Sequence, residues 1–131
     1  MTNDEEGAKT RIESALSRGG LVDITTVGRK SGDGRRIEIA FHNIGGRIYI
    51  SGTPYPRRRS WLANLDANPH FQLHLKRPVR ADLPATARII TDESERREIL
   101  ASVARTWRRN DLDYMVRYSP LIEVTIEDIA A

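Results

Sequence analysis

Short segments in which apolar and polar residues alternate, joined by glycine-rich turns, constrain the fold of this 131-residue chain most strongly. In Arg35–His42 the apolar residues Ile37, Ile39 and Phe41 recur at every second position. Successive side chains of a β-strand point to opposite faces, so this pattern predicts a strand with one buried face. Asn43–Gly46, which follows it, has the composition of a hairpin turn.

Five further segments have the composition of strands: Leu21–Val27, Arg47–Gly52, His70–Lys76, Ala81–Ile90 and Leu121–Ile126. A βαβ fold would alternate strands with helices along the whole chain, whereas here the early strands follow one another through tight turns. The order therefore predicts a mainly β (α+β) domain over residues 1–131, in which about six antiparallel strands form a partly closed barrel.

Four segments are predicted to be helical: Glu5–Arg18, Pro56–Ala67, Asp92–Trp107 and Asp111–Tyr118. The second and third of these helices are expected to plug or flank the barrel. Proline suits the first turn of a helix, so Pro56 is expected to begin the second one. Arg57, Arg58 and Arg59 would then lie in its first turn, either as a solvated surface or around an anion bound at the helix N-terminus.

Positive charge is concentrated between Gly28 and Arg59, a window with eight Lys or Arg residues and two acidic residues. The window carries a net charge of +6, whereas the whole chain carries +3. Charge segregated in this way indicates an anionic partner. Nucleic acid is not the expected partner, because Phe41, Tyr49 and Tyr55 are the only aromatic residues in the window and offer a small stacking surface.

Several classes of site are not expected from the composition. The chain has no cysteine, which excludes disulfides, thiolate metal sites and cysteine nucleophiles. Its three histidines lack the spacing of metal ligands, so no metal is predicted. No apolar run approaches the ~20 residues of a membrane-spanning helix. The acidic N-terminus lacks the apolar region of a signal peptide, so a cytoplasmic location is expected.

The loop between the first two predicted strands is Gly28-Arg29-Lys30-Ser31-Gly32. Glycines allow backbone N–H groups to turn toward an anion, and such nests bind phosphate and carboxylate. Two cations and a hydroxyl donor lie between the glycines. The motif predicts either an anion-binding loop or an ordinary solvated turn with incidental cations.

Two motifs in the sequence resemble the deazaflavin-dependent nitroreductase family. The first is Thr25–Gly32 (TTVGRKSG), and the second, about thirty residues later, is Trp61–Pro69 (WLANLDANP). The resemblance is strong over Leu21–Lys76 and extends to the remainder by layout. It implies a split β-barrel like those of FMN-binding and pyridoxamine phosphate oxidase-like proteins. It also implies binding of coenzyme F420, a deazaflavin whose tail carries a phosphate and glutamates.

By position, the resemblance implies cofactor contacts from four groups of residues. The phosphate and the acidic tail would be held by Gly28, Arg29, Lys30, Ser31, Gly32, Arg35 and Arg36. The tricyclic ring would lie along Ile37, Glu38, Ile39 and Ala40, with its other edge at Ser51, Gly52 and Thr53. Trp61, Asn64 and Leu65 would position the ring or its helix, and Arg58 is a further cofactor candidate.

Some of these residues have simpler interpretations. Trp61 and Leu65 are four residues apart and are equally typical of a helix face in the core. Asn64 can also be interpreted as a surface amide of the helix, and Gly52 as a turn residue.

The resemblance implies an oxidoreductase that transfers hydride from reduced F420 to a small organic acceptor such as a quinone, an enone or a nitro compound. Tyr114 and Tyr118 are candidates for catalytic contacts with that acceptor, or else interface tyrosines. The alternative is a non-catalytic carrier of deazaflavin, FMN or a tetrapyrrole, with FMN as the alternative cofactor. A monomer or a homodimer is expected.

Overall fold

Six antiparallel strands form a closed barrel in the computed structural model, which describes residues 3–127. The strands are β1 (Gly20–Val27), β2 (Gly34–Ile44), β3 (Arg47–Ser51), β4 (His70–Leu75), β5 (Ala81–Ile89) and β6 (Leu121–Ile126). Around the barrel they follow the order β1-β2-β3-β6-β5-β4, and β4 pairs back with β1. The mainly β fold predicted from the sequence is confirmed. Its closure is complete rather than partial, because four residues of β1 pair with β4.

The alternation predicted for β2 is confirmed by its register with β1. Val22 lies opposite Ile39, and Ile24 lies opposite Ile37. Paired residues in a sheet point to the same face. Val22 and Ile24 are fully buried in the core cluster, against which Ile37 and Ile39 pack. The interior of the barrel is therefore filled by side chains.

Four helices accompany the barrel: α1 (Asn3–Arg18), α2 (Ser60–Ala67), α3 (Glu93–Trp107) and α4 (Leu112–Tyr118). Trp61 and Leu65 of α2 belong to the same buried cluster as the barrel interior, so α2 plugs the barrel as expected. Helices α3 and α4 form a second cluster with Tyr49 of β3 and Leu121 of β6, and they flank the barrel. Within residues 3–127 no helix has both the length and the apolar character needed to cross a membrane.

The predicted start of α2 is wrong by four residues, since the helix begins at Ser60 and not at Pro56. Arg59 is its N-cap residue, with an extended backbone at φ −67° and ψ 142°. Three consecutive cations in a first turn would face the positive end of the helix dipole. In addition, Nη2 of Arg59 donates a hydrogen bond of 2.7 Å to the carbonyl of Thr53, which holds the segment outside the helix. The three arginines therefore do not form a first turn.

Candidate functional site

The loop between β1 and β2 is closed by its own backbone. The amide of Gly28 donates to the carbonyl of Asp33, and the amide of Gly32 donates to the carbonyl of Gly28, both at 2.8 Å. Gly32 has a φ of +76°, which favours glycine. A Cβ on Gly28 would lie 2.7 Å from Oγ of Ser31 and 3.1 Å from the carbonyl oxygen of Asp33. Neither glycine accepts a side chain without strain or rearrangement of the loop.

Asn64 of α2 fixes this loop to the barrel plug. Its Oδ1 accepts hydrogen bonds from the backbone amide of Arg29 at 3.1 Å and from Nη1 of Arg29 at 3.4 Å. Its Nδ2 donates to Oγ1 of Thr26 on β1 at 3.1 Å. Asn64 is only 4% exposed, so the interpretation of this residue as a surface amide is wrong. It is a buried link between loop, strand and helix.

A cavity of about 600 Å³ lies between this loop and α2, and we call it the loop cavity. It is lined by Gly28, Arg29, Lys30, Ser31, Gly34, Arg35, Arg36, Ile37, Arg59, Ser60, Trp61 and Asn64. The structure thus brings together most of the residues that the resemblance implied for the phosphate and the tail, together with Ile37 from those implied for the ring and with Trp61 and Asn64 of α2.

The loop cavity has a surplus of positive charge. Arg36 is paired with Asp23 at 2.9 Å. Within residues 6–127, whose side chains the structure describes, no carboxylate lies within 4.0 Å of Lys30, Arg35 or Arg59. The same holds for Arg29, which bonds to Asn64. Unpaired guanidinium and ammonium groups beside a glycine-rich backbone form a donor set that suits phosphate and carboxylate oxygens.

The apolar part of the loop cavity comes from Ile37 and from Trp61, which is 6% exposed and also packs in the barrel core. The core interpretation of Trp61 is therefore confirmed, and the same residue lines the cavity; its contact with the cofactor stays a prediction. The cavity fits a ligand with one anionic end and one flat apolar part.

Several predicted residues lie outside the loop cavity. Glu38 is on the outer face of β2 and is paired with Lys76, which also contacts Asp23 at 2.9 Å. Ile39 packs against the barrel core, and Leu65 is 2% exposed within it, as the core interpretation of that leucine expects. Gly32 belongs to the loop without lining the cavity.

The segment after β3 runs beside a second cavity. Ser51 is fully buried, and the amide of Gly52 donates to the carbonyl of Pro120 at 3.4 Å. Thr53 accepts the hydrogen bond from Arg59, and Arg58 is paired with Asp66 at 3.0 Å.

The second cavity, of about 480 Å³, lies between the segment Tyr55–Arg59 and the ends of β5 and α4, and we call it the arginine cavity. Tyr118 lines it. Tyr114 is 43% exposed and does not line it, although its ring centroid is 4.9 Å from that of Tyr118. Of the two tyrosines proposed from the sequence, only Tyr118 faces this cavity.

Arg59 lines both cavities, yet the sequence did not single it out from its neighbours. The only signal was the run of three arginines, and side-chain direction in an irregular segment is not encoded by a period. Ser60 and Gly34 were also missed, because each lies at an element boundary that the sequence placed differently.

Residues 3–128 match the family described as F420H(2)-dependent quinone reductase. The match therefore includes both cavities and nearly the whole chain.

Solved structures with a similar fold include an F420-H2 dependent reductase (FDR-A), which is 24% identical with a TM-score of 0.60. The alignment covers 80% of this chain and 93% of that one. A candidate pyridoxamine 5'-phosphate oxidase from Listeria innocua is 16% identical with a TM-score of 0.65, and the alignment covers 92% of this chain and 94% of that one. A haem storage protein from Vibrio cholerae is 14% identical, covers 91% and 89%, and has a TM-score of 0.67. These likenesses show a shared barrel fold.

Proposed function

The chain belongs to the F420H2-dependent quinone reductase family, and on that premise we propose that it uses reduced coenzyme F420 to reduce a small organic acceptor. The observation that carries the proposal is the loop cavity. Its unpaired cations, Arg29, Lys30 and Arg35, lie beside a closed glycine loop. A ligand whose tail carries a phosphate and several carboxylates matches this donor set.

In this proposal the loop holds the anionic end of the cofactor. Lys30, Arg29 and the hydroxyl of Ser31 hold the phosphate, and Arg35 contacts the acidic tail. Ile37 and Trp61 give the flat ring an apolar wall. FMN also has a phosphate, but it has no glutamate carboxylates for the remaining cations, so F420 is the better match.

The other cofactor positions implied by the resemblance stay predictions: Gly32, Glu38, Ile39, Ala40, Ser51, Gly52, Thr53, Arg58 and Leu65. Leu65 and Ile39 have an evident role in the barrel core. Arg58 has a carboxylate partner already in Asp66. We therefore regard these residues as weaker candidates for cofactor contacts than the residues that line the loop cavity.

Reduced F420, when bound, supplies the hydride chemistry. The chain holds and orients the cofactor by its charges and excludes water with the apolar wall. Tyr118, in the neighbouring arginine cavity, is the candidate to orient the acceptor or to donate a proton to it from its hydroxyl. The acceptor is expected to be a quinone, an enone or a nitro compound.

Fluorescence and absorbance titrations with F420 and FMN, each at low and high salt, test the cofactor. F420 should bind more tightly, and salt should weaken its binding because part of the attraction is between exposed charges. Stopped-flow oxidation of reduced F420 by menadione tests the reaction. Equal affinities for the two cofactors contradict the choice of F420. Tight binding without oxidation by any quinone, enone or nitro compound favours a carrier.

A further inference from the structure

The arginine cavity is lined by five arginines and by no aspartate or glutamate of the part of the chain that the structure describes. Arg58 is paired with Asp66, but the other four have no carboxylate within 4.0 Å among residues 6–127. These four are Arg57, Arg59, Arg96 and Arg117. The cavity wall therefore carries four arginines without a direct carboxylate partner, and two of them, Arg96 and Arg117, also border a neighbouring cavity whose lining includes Glu93 and Asp113.

Arg96 is the most firmly fixed of these charges. Its guanidinium donates hydrogen bonds to the carbonyls of Ile90 and Val116 at 2.9 Å and to that of Ser119 at 2.6 Å. Carbonyl oxygens satisfy its donors but do not neutralise its charge. Burial accordingly lowers the pKa of Arg96, which means that its charged form is short of compensation. The fold holds a cation in the wall that a bound anion would stabilise.

Two buried polar atoms of the same cavity have no hydrogen-bond partner among the described residues. They are Oγ of Ser119, in a residue only 3% exposed, and Nε of Arg59. Buried polar groups of proteins are nearly always paired, so these two atoms lack the partner that such groups usually have. Both belong to residues that line the arginine cavity, and Arg59 lines the loop cavity as well.

The remaining wall suits an aromatic or similar flat group. Leu62 and Ile90 are apolar, and two arginines lie over tyrosine rings. Arg59 is 5.6 Å from the ring centroid of Tyr55, and Arg117 is 5.3 Å from that of Tyr118. The cavity thus combines an apolar floor with a rim of cations.

We propose that the arginine cavity is the acceptor site and that it selects acceptors that carry a carboxylate beside the reducible group. This inference rests on the proposed function. Arg57 and Arg117 would pair with the carboxylate, and the hydroxyl of Ser119 would bond to a polar atom of the acceptor. A quinone acceptor would gain one hydride from reduced F420 and one proton, from the Tyr118 hydroxyl or from solvent, which gives the hydroquinone and leaves the carboxylate unchanged. A neutral acceptor would leave the cations unpaired.

Binding can be measured without any cofactor, by calorimetric titration of the full chain with 2-naphthoate and with its neutral analogue 2-naphthamide. Naphthoate should bind at least tenfold more tightly. The double variant Arg57→Gln/Arg117→Gln should bring naphthoate down to the affinity of the amide. Arg105→Gln is the matched control and should change nothing, because Arg105 is an exposed arginine of α3 whose side chain bonds to Ser102. Equal binding of the two ligands by wild type overturns the proposal.

The carboxylates of the F420 tail would suit the arginines of this cavity as well as the carboxylate of an acceptor does. The naphthoate titration is therefore repeated with saturating F420 and with the deazaflavin chromophore that lacks phosphate and glutamates. Naphthoate should bind equally well in both cases. If complete F420 excludes it and the truncated chromophore does not, the cavity holds the tail, and the acceptor assignment is overturned.

Stopped-flow kinetics then compare menadione with a naphthoquinone that carries a carboxylate side chain. For each acceptor, kcat/KM of the variant is compared with kcat/KM of wild type, so the different reduction potentials of the two quinones do not affect the comparison. The double variant should lower kcat/KM for the anionic acceptor about tenfold more than it lowers kcat/KM for menadione. Equal losses for both acceptors contradict the selectivity. If wild type neither binds nor oxidises reduced F420, the proposed function fails, and the naphthoate titration still decides whether the cavity binds a carboxylate.

Discussion

The backbone amide of Arg29 donates a hydrogen bond of 3.1 Å to the buried Oδ1 of Asn64, which joins the β1–β2 loop to the helix that plugs the barrel. The position of the candidate anion site therefore depends on the packing of α2. Motifs that are about thirty residues apart in the sequence act on one cavity because of this contact.

Replacing Asn64 with alanine should destabilise the protein and weaken cofactor binding. Its loss leaves the amide of Arg29 and the hydroxyl of Thr26 without their partner, which costs about 1–3 kcal/mol of unfolding free energy. Urea unfolding and F420 titration measure the two effects. Gln72→Ala, at an exposed amide on β4, is the control and should change the unfolding free energy by less than about 0.5 kcal/mol. A stable Asn64 variant with wild-type affinity would show that the link is dispensable.

Lys30→Ala should raise the dissociation constant of F420 about tenfold or more, because a charge-assisted contact contributes about 1.5–3 kcal/mol. The unfolding free energy should stay close to that of wild type, since Lys30 is exposed in a turn. Lys9→Ala, at an exposed lysine of α1, is the matched control. Normal F420 binding by Lys30→Ala would support the alternative interpretation of the loop as an ordinary solvated turn.

Gly28→Ala should disturb the loop rather than the core. The new Cβ would meet Oγ of Ser31 at 2.7 Å and the carbonyl oxygen of Asp33 at 3.1 Å, so the Ser31 hydroxyl must move, which breaks the hydrogen bond that it accepts from the amide of Asp33, and the loop backbone must shift. We expect F420 binding to fall at least as much as in Lys30→Ala, with a loss of stability of about 1–3 kcal/mol. Gly46→Ala, in the β2–β3 turn at φ +86°, strains the backbone far from the loop cavity. It should lower stability and spare binding, and a loss of affinity in both variants would argue against a local effect.

Tyr118→Phe should keep the affinity for F420 and lower the rate of acceptor reduction, because it removes one hydroxyl from the arginine cavity. Tyr114→Phe is the matched comparison, since the exposed ring of Tyr114 lies outside the cavity. Loss of the Tyr114 hydroxyl should change the rate of acceptor reduction little. Stopped-flow oxidation of reduced F420 by menadione measures both. Unchanged rates in both variants would remove the tyrosines from the mechanism.

His42 should make the fold less stable at mildly acidic pH. It is buried, its Nε2 has no partner among the described residues, and its ring contacts Trp107. Burial lowers the pKa of His42, so below pH ~6.5 the unfolded chain binds a proton that the folded protein does not. The unfolding free energy should fall as the pH drops from 7.5 to 5.5, by at most about 1.4 kcal/mol per pH unit.

Denaturant unfolding at the two pH values separates this effect from the rest of the protein. His42→Gln should reduce the pH dependence, whereas His70→Gln, at an exposed position of β4, should retain it. The same slope in wild type and in His42→Gln would show that other groups cause it.

The sequence was sufficient for the strands because their period of two survives in the barrel. The buried faces of β1 and β2 follow directly from alternating residues such as Ile37 and Ile39. It was insufficient where no period applies. Pro56 is compatible with a helix start, but the helix begins only at Ser60. The three arginines would be repelled by the positive end of the helix dipole, and the hydrogen bond from Arg59 to the carbonyl of Thr53 holds the segment outside the helix.

The candidate site was predictable in part for the same reason. The β1–β2 loop could be predicted as an anion-binding loop from Gly28–Gly32 alone, because its glycines and cations are adjacent in the chain. The arginine cavity depends instead on long-range packing. Arg96 and Ser119 meet there only because α3 and the end of α4 come together, and neither residue stands out in a linear pattern.

The closed strand order has a consequence for self-association. Each of the six strands of residues 3–127 has two hydrogen-bonded neighbours, but the pairing is not continuous, since residues 34–39 of β2 pair with β1 and not with β3. A strand from another molecule could therefore be added only along such short segments, and most of the sheet is closed to extension. The same arrangement protects the barrel against edge-to-edge aggregation, so its resistance to fibre formation should depend on the β4–β1 seam staying shut.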